Sequence, residues 1–180
     1  MFYTYATQLL RDDHKKVRGL FAQLQSIDER APEMKPGVVN EVLMELEIHS
    51  ELEERIFYPS FLNCMEMKEN LKGQALIEES FKDHSELKQM IATLRKMSVH
   101  DERFNLSFEV LIKAVTDHVE VEEIEILPVA EQAMSNRLGE LGMQMEKLRT
   151  ELKADPKYRE SLVNVVQDLR GGEQKRKTAA

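Results

Sequence analysis

The 180-residue chain has one cysteine, no tryptophan, seven glycines and five prolines. With Cys64 alone, no intramolecular disulfide and no thiolate zinc knuckle can form. No apolar run approaches the roughly 20 residues needed to span a bilayer, and the N-terminus has no basic region leading into an apolar segment. A reducing cytoplasm is the expected location, with no membrane partner. Cationic excess is missing too. The formal charge of −8 argues against nucleic acid as the main partner, and one short basic cluster, Lys175 to Lys177, reads as a solvated tail.

What remains is helix-forming. Leu, Glu, Lys, Met and Ala are plentiful, and all favour helix. Leu10, Val17, Leu20, Phe21, Leu24 and Ile27 form an apolar stripe that predicts a first helix over about 5–28. Pro32, Pro36 and Gly37 mark a loop. A second helix is expected from near Val38, with Pro59 kinking or ending it. A third carries Leu76 to Leu94 and stops around Ser98, after which 99–103 reads as a loop. A fourth carries Phe108 to Ile126, with Pro128 near its end.

The prediction is an all-α fold, an up-down-up-down four-helix bundle over 1–136. A helical extension follows over 137–170, then a flexible tail over 171–180. In the extension Leu138, Leu141, Met145, Leu148 and Leu152 alternate three and four apart. Such a seam packs along the bundle or makes a homodimer contact. Asp155 and Pro156 have the chemistry of an N-cap and first position for one more helix, which Gly171 and Gly172 would stop.

The two halves of the bundle repeat one another. Asp13-His14 recurs as Asp83-His84, and HSELEERIFYP from His49 recurs as HVEVEEIEILP from His118. Each half is a hairpin with one histidine on its first helix and a His-x-x-x-Glu pair on its second. Residues four apart share a helix face, so His49 with Glu53 and His118 with Glu122 point together. A single histidine in an apolar stripe is usually a hydrogen-bonded core residue. Two matched sets are different, because so many ionisable groups cannot be buried together without pairing or a metal. His14, His49, Glu53, His84, His118 and Glu122 are therefore the candidate ligands of a dinuclear site. Imidazole with carboxylate suits iron, and manganese or zinc less well. His100 lies off the repeat and reads as exposed. Glu54 and Glu123 read as salt-bridged outer residues, and Glu45 as a surface carboxylate, a supporting partner or an extra ligand.

The pattern His…HxxxE…His…HxxxE resembles the hemerythrin-like, or HHE cation-binding, family over about residues 5–135. The resemblance implies two irons, one held by His84 and His118 and the other by His14 and His49. Glu53 and Glu122 would bridge them beside an oxo or hydroxo group. Oxygen-carrying members have a fifth histidine four residues from the one in the third helix, where this chain has Ser80 and Lys88. That departure points away from oxygen carriage and towards chemistry with peroxide, dioxygen or nitric oxide. Iron storage, buffering or sensing without catalysis is the alternative. A ferritin-like site would need Glu-x-x-His spacing, which does not occur here.

Overall fold

The computed structural model describes residues 4–27, 34–67, 70–99 and 101–156. His100, the basic tail and the helix expected after Pro156 lie outside them. The described residues form helices and turns without strands. Helix α1 spans Ala6–Ser26, and α2 (Lys35–Leu52) passes through a π-helical turn, Glu53–Phe57, into α3 (Tyr58–Met67). Helix α4 spans Leu71–Leu94. Helix α5 (Glu102–Val121) passes through a second π-helical turn, Glu122–Ile126, into α6 (Leu127–Ala133), and α7 spans Leu138–Ala154. Four rods thus make the up-down-up-down bundle, and α7 is the extension.

Several boundaries depart from the sequence expectation. Pro36 and Gly37 belong to the first turn of α2, not to the loop, because a proline there lacks only an N–H that has no partner in the helix anyway. The third helix ends at Leu94, short of Ser98, while α5 begins inside the expected loop because the Asp101 carboxylate caps it, accepting from the Arg103 N–H at 2.9 Å. Pro59 does not end its helix, nor does Pro128. Each follows a π-helical turn in which an N–H reaches back five residues, Tyr58 to the Glu53 carbonyl and Leu127 to that of Glu122. The widened turn takes up the register change that a proline's missing N–H and bulky ring impose.

The core has two apolar blocks. One contains Leu9, Leu10, Ile48, Leu52, Phe57, Phe61, Ile77 and Ile126, and the other Val17, Phe21, Val42, Leu46, Leu87, Leu111 and Val115. His14 lies between Leu10 and Val17, and the other three bundle histidines occupy the same boundary. A polar layer therefore crosses the bundle between the two blocks.

Helix α7 lies against α1 and α2, and its seam of Leu138, Leu141, Met145, Leu148 and Leu152 is buried in the first block. The docking is close. A Cβ at Gly142 would sit 2.0 Å from the Thr4 carbonyl oxygen. Alanine within a helix is ordinarily worth about 0.8–1 kcal/mol more than glycine. Overpacking against backbone costs about 1–3 kcal/mol, so the clash should win. Gly142→Ala is expected to lower the melting temperature by several degrees; a thermal melt showing it raised would contradict this account of α7.

Candidate metal centre

Six of the site's side chains come from the repeat, and helical spacing delivers them. His14 projects from α1, His49 from the end of α2, His84 from α4 and His118 from the end of α5. Glu53 and Glu122 open the two π-helical turns one turn after their histidines. Tyr58, at the start of α3, belongs to one half alone, since Leu127 stands at the matching place.

Glu53 and Glu122 have no exposed surface, and the four histidines are all buried. Every imidazole turns Nε2 inwards. His14 Nε2 is 3.2 Å from Glu122 Oε2, and His49 Nε2 is 3.2 Å from Glu53 Oε2. His84 Nε2 is also 3.2 Å from Glu53 Oε2, and His118 Nε2 is 3.5 Å from Glu122 Oε2. The His84 and His118 Nε2 atoms approach to 3.1 Å.

Two groups of potential ligand atoms result, His14, His49, Glu53 and Glu122 in one, and Glu53, His84 and His118 in the other. Within each group the atoms lie within 4.8 Å of one another. Glu53 is common to both. The Nε2 atoms of His14 and His49, Oε1 of Glu53 and Oε2 of Glu122 are buried and make no hydrogen bond, although some are near enough for ion pairing. Unsatisfied buried donors and acceptors are rare and call for an explanation. Here they converge on one place with a nitrogen and oxygen donor set that suits iron, manganese or zinc. The residues present fit a metal pair.

Outside this inner set lies a second set that spacing alone had not revealed. Each imidazole offers Nδ1 to a carboxylate: His49 to Asp13 at 3.3 Å, His118 to Asp83 at 3.2 Å, His14 to Glu123 at 2.9 Å and His84 to Glu54 at 3.0 Å. The aspartates serve the histidine of their own hairpin, and the glutamates that of the other. Such partners fix the ring orientation and raise the basicity of a metal-binding histidine. Glu54 and Glu123 are therefore more than outer salt bridges, though they are salt-bridged as well, to Lys88 at 2.7 Å and Arg18 at 2.9 Å. A signal for them was present: a basic residue follows each first-helix histidine by four, Arg18 after His14 and Lys88 after His84.

Other candidates fall elsewhere. Glu45 is buried but sits with Lys16 at 2.8 Å and Lys153 at 3.0 Å, outside both groups. Ser80 donates to the Leu76 carbonyl at 3.0 Å. The Tyr58 hydroxyl, which sequence reasoning gave no role, donates to Glu122 Oε1 at 2.6 Å and lies 3.2 Å from Glu53 Oε2 and 3.5 Å from His84 Nε2.

Charge coupling is strong. Burial opposes ionisation of Glu122, but His118, His14 and His49 outweigh it and hold the carboxyl well below its usual range. Burial likewise works against a charged His49, yet Glu53, Asp13 and Glu122 raise it well above the ordinary imidazole value. His84, again against burial, is raised to about 9 by Glu53 and Glu54. Burial, then the charges of Glu122 and Glu53, push the Tyr58 phenol well above its normal value, so it stays protonated.

Comparison with known proteins fits this arrangement. The hemerythrin HHE cation-binding domain matches residues 5–130. The chain belongs to that family. Membership implies metal binding, with iron the family's metal, and the His and Glu clusters could hold it. A hemerythrin HHE cation-binding domain-containing protein from Mycobacterium kansasii has the same fold, with a TM-score of 0.69 at 20% identity over 90% of this chain and 99% of that one. A DNA nickase from Nostoc sp. (strain PCC 7120) is 26% identical over 146 residues, 81% of this chain. The chain spans only 37% of that relative's length.

Protons and metal compete for these atoms, which gives a pH test. In metal-free protein the raised value of His84 contributes stability that is full below its unfolded value of 6.5 and disappears as pH rises through about 9. His49 acts in the same direction. The depressed Glu122 contributes above its unfolded value of 4.5 and is lost as pH falls further. Metal-free protein should therefore melt progressively lower between pH 6.5 and 9, whereas iron-loaded protein should change much less. Melting temperatures that rise over that interval would show the proton assignment to be wrong.

Proposed function

We propose that the chain is a non-heme di-iron binding protein whose centre binds or reacts with a small ligand, dioxygen, peroxide or nitric oxide, and that it can degrade peroxide. The observation that carries this reading is the convergence of four imidazole Nε2 atoms on two carboxylates with no exposed surface, four of these atoms having no hydrogen bond. His14 and His49 would hold one iron and His84 and His118 the other, with Glu53 and Glu122 between them. The bound pair would supply redox chemistry and open coordination positions.

The chain's own residues do the rest. Two carboxylates offset cation charge where water is excluded. The four outer carboxylates fix the rings. No further imidazole is offered at the third-helix position, where Ser80 and Lys88 have partners of their own, so room for a small molecule is expected. Tyr58 keeps a proton at Glu122 Oε1 and places a hydroxyl donor beside the inner carboxylates and His84.

A non-catalytic iron buffer or sensor is the second reading. It is favoured by α7, whose Arg149 and Lys153 reach Asp13 and Glu45 and so tie the extension to the layer around the centre. Nicking of DNA is not carried over from the Nostoc relative, because the chain covers too little of it and its charge of −8 disfavours a polyanion.

Metal analysis after expression with added iron should give about two irons per chain. His49→Ala and His118→Ala should each lose at least one, and full retention by both would refute the ligand assignment. Loaded protein that consumes peroxide catalytically supports the first reading. No turnover, combined with a change in stability on iron removal, supports the second.

A further inference from the structure

We propose that Arg149, on α7, is a positioning residue for the His14–His49 half of the metal centre and makes the two metal positions unequal. The inference rests on the di-iron reading above. It concerns a residue beyond the stretch that matches the family, which ends at residue 130.

The repeat supplies the comparison. Asp13 and Asp83 stand at matching places, and each accepts from Nδ1 of the second histidine of its own hairpin. Beyond that contact their surroundings differ. Asp13 is gripped by both ends of the Arg149 guanidinium, at 2.6 Å to Oδ1 and 2.8 Å to Oδ2, and its side chain is 9% exposed. Asp83 has a 39% exposed side chain, and among the described residues no α7 side chain is paired with it. A two-pronged guanidinium–carboxylate pair fixes the plane of the carboxylate as well as its position. His49 therefore meets an acceptor locked from behind, and His118 meets one that is partly exposed and has no such grip.

Two effects of Arg149 compete. Its charge draws density from Asp13, which weakens Asp13 as an acceptor for His49. Its grip also keeps Asp13 in place, and without that two-pronged hold the carboxylate could turn away from His49. The second effect should dominate, because a lost or mobile acceptor gives His49 no fixed orientation at all, whereas a weakened one still holds the ring. Loss of such an outer partner typically costs about 10–100-fold in metal affinity. The expected consequence is that one iron is held more firmly than the other, and that Arg149 accounts for the difference.

The test uses full-length, iron-loaded protein and follows release of ferrous iron to a chelator. Wild type should release its two irons in two phases. Arg149→Ala should speed the slow phase about 10–100-fold and leave the fast one unchanged, so that the phases draw together, and one component of the Mössbauer spectrum should shift. Arg149→Lys, which keeps the charge but not the two-pronged grip, should recover part of the difference. Lys153→Ala, which removes the other tie from α7 and leaves Asp13 untouched, should behave as wild type. Circular dichroism checks folding, and Arg149→Gln serves in its place if the alanine variant does not fold. Unchanged release from Arg149→Ala, equal acceleration of both irons, or an equal effect from Lys153→Ala would each overturn the proposal. Wild type that binds no iron would sink the di-iron reading and this inference with it, whereas two irons in wild type and unaltered release from the variant would sink the inference alone.

Discussion

Glu53 and Glu122 sit at the middle of the bundle with no contact with water, and much of the surrounding structure follows from that placement. An isolated carboxylate in such a place costs several kcal/mol even after relaxation. Two of them together are tolerable only with positive charge close by. His49 and His84, both raised above the ordinary imidazole value, provide it in the metal-free protein, and cations held by the four imidazoles would provide it in the loaded one. Each imidazole is in turn held by a further carboxylate, and those on Asp13, Glu54 and Glu123 are paired with Arg149, Lys88 and Arg18. Charge alternates outward from the centre, which is how so polar a layer can separate two apolar blocks without dissolving the core.

The π-helical turns belong to the same constraint. A regular α-helix turns about 100° per residue, so Glu54 and Glu123 in an unbroken helix would face away from the direction of Glu53 and Glu122. Each widened turn begins at a central glutamate, and the carboxylate that follows it, Glu54 or Glu123, reaches the outer nitrogen of a histidine of the opposite hairpin. The prolines at 59 and 128 mark the cost of the irregularity and its accommodation, since the helix has already left the register in which a proline would break it.

These facts also explain which parts were legible in the sequence. The bundle, the seam of α7 and the six inner side chains were readable because each follows a period, 3.6 residues for the stripes and about 70 for the repeat. Pro36 and Pro59 misled because a proline's meaning depends on whether the N–H it removes was needed, and that is decided by hydrogen bonding nearby. Glu54 and Glu123 were underestimated because the wheel of a single helix does not show that a ring from the opposite hairpin presents one nitrogen to the central carboxylate and the other to its neighbour. Arg149 could not be found at all. A single arginine on a charged helix carries no mark of a partner 136 residues away; only the docking of α7, set by its leucines and by Gly142, brings it to Asp13.

The repeat makes the departures from symmetry informative. Ligands, outer carboxylates and flanking cations correspond in the two halves, yet two groups do not. Arg149 stands behind His49, while Tyr58 stands 3.5 Å from Nε2 of His84 and has only a leucine as its counterpart. One side of the centre is braced from outside, and the other carries a protonated phenol on the inside. A site meant only to store two equivalent cations gains nothing from this difference. For a site that admits a small molecule it is useful, since one position can be held rigid while the other meets the incoming molecule beside a hydroxyl donor. On the proposed reading, the His84–His118 side is where a small ligand would be received, and the firmness of the His14–His49 side is what would keep the centre intact while that happens.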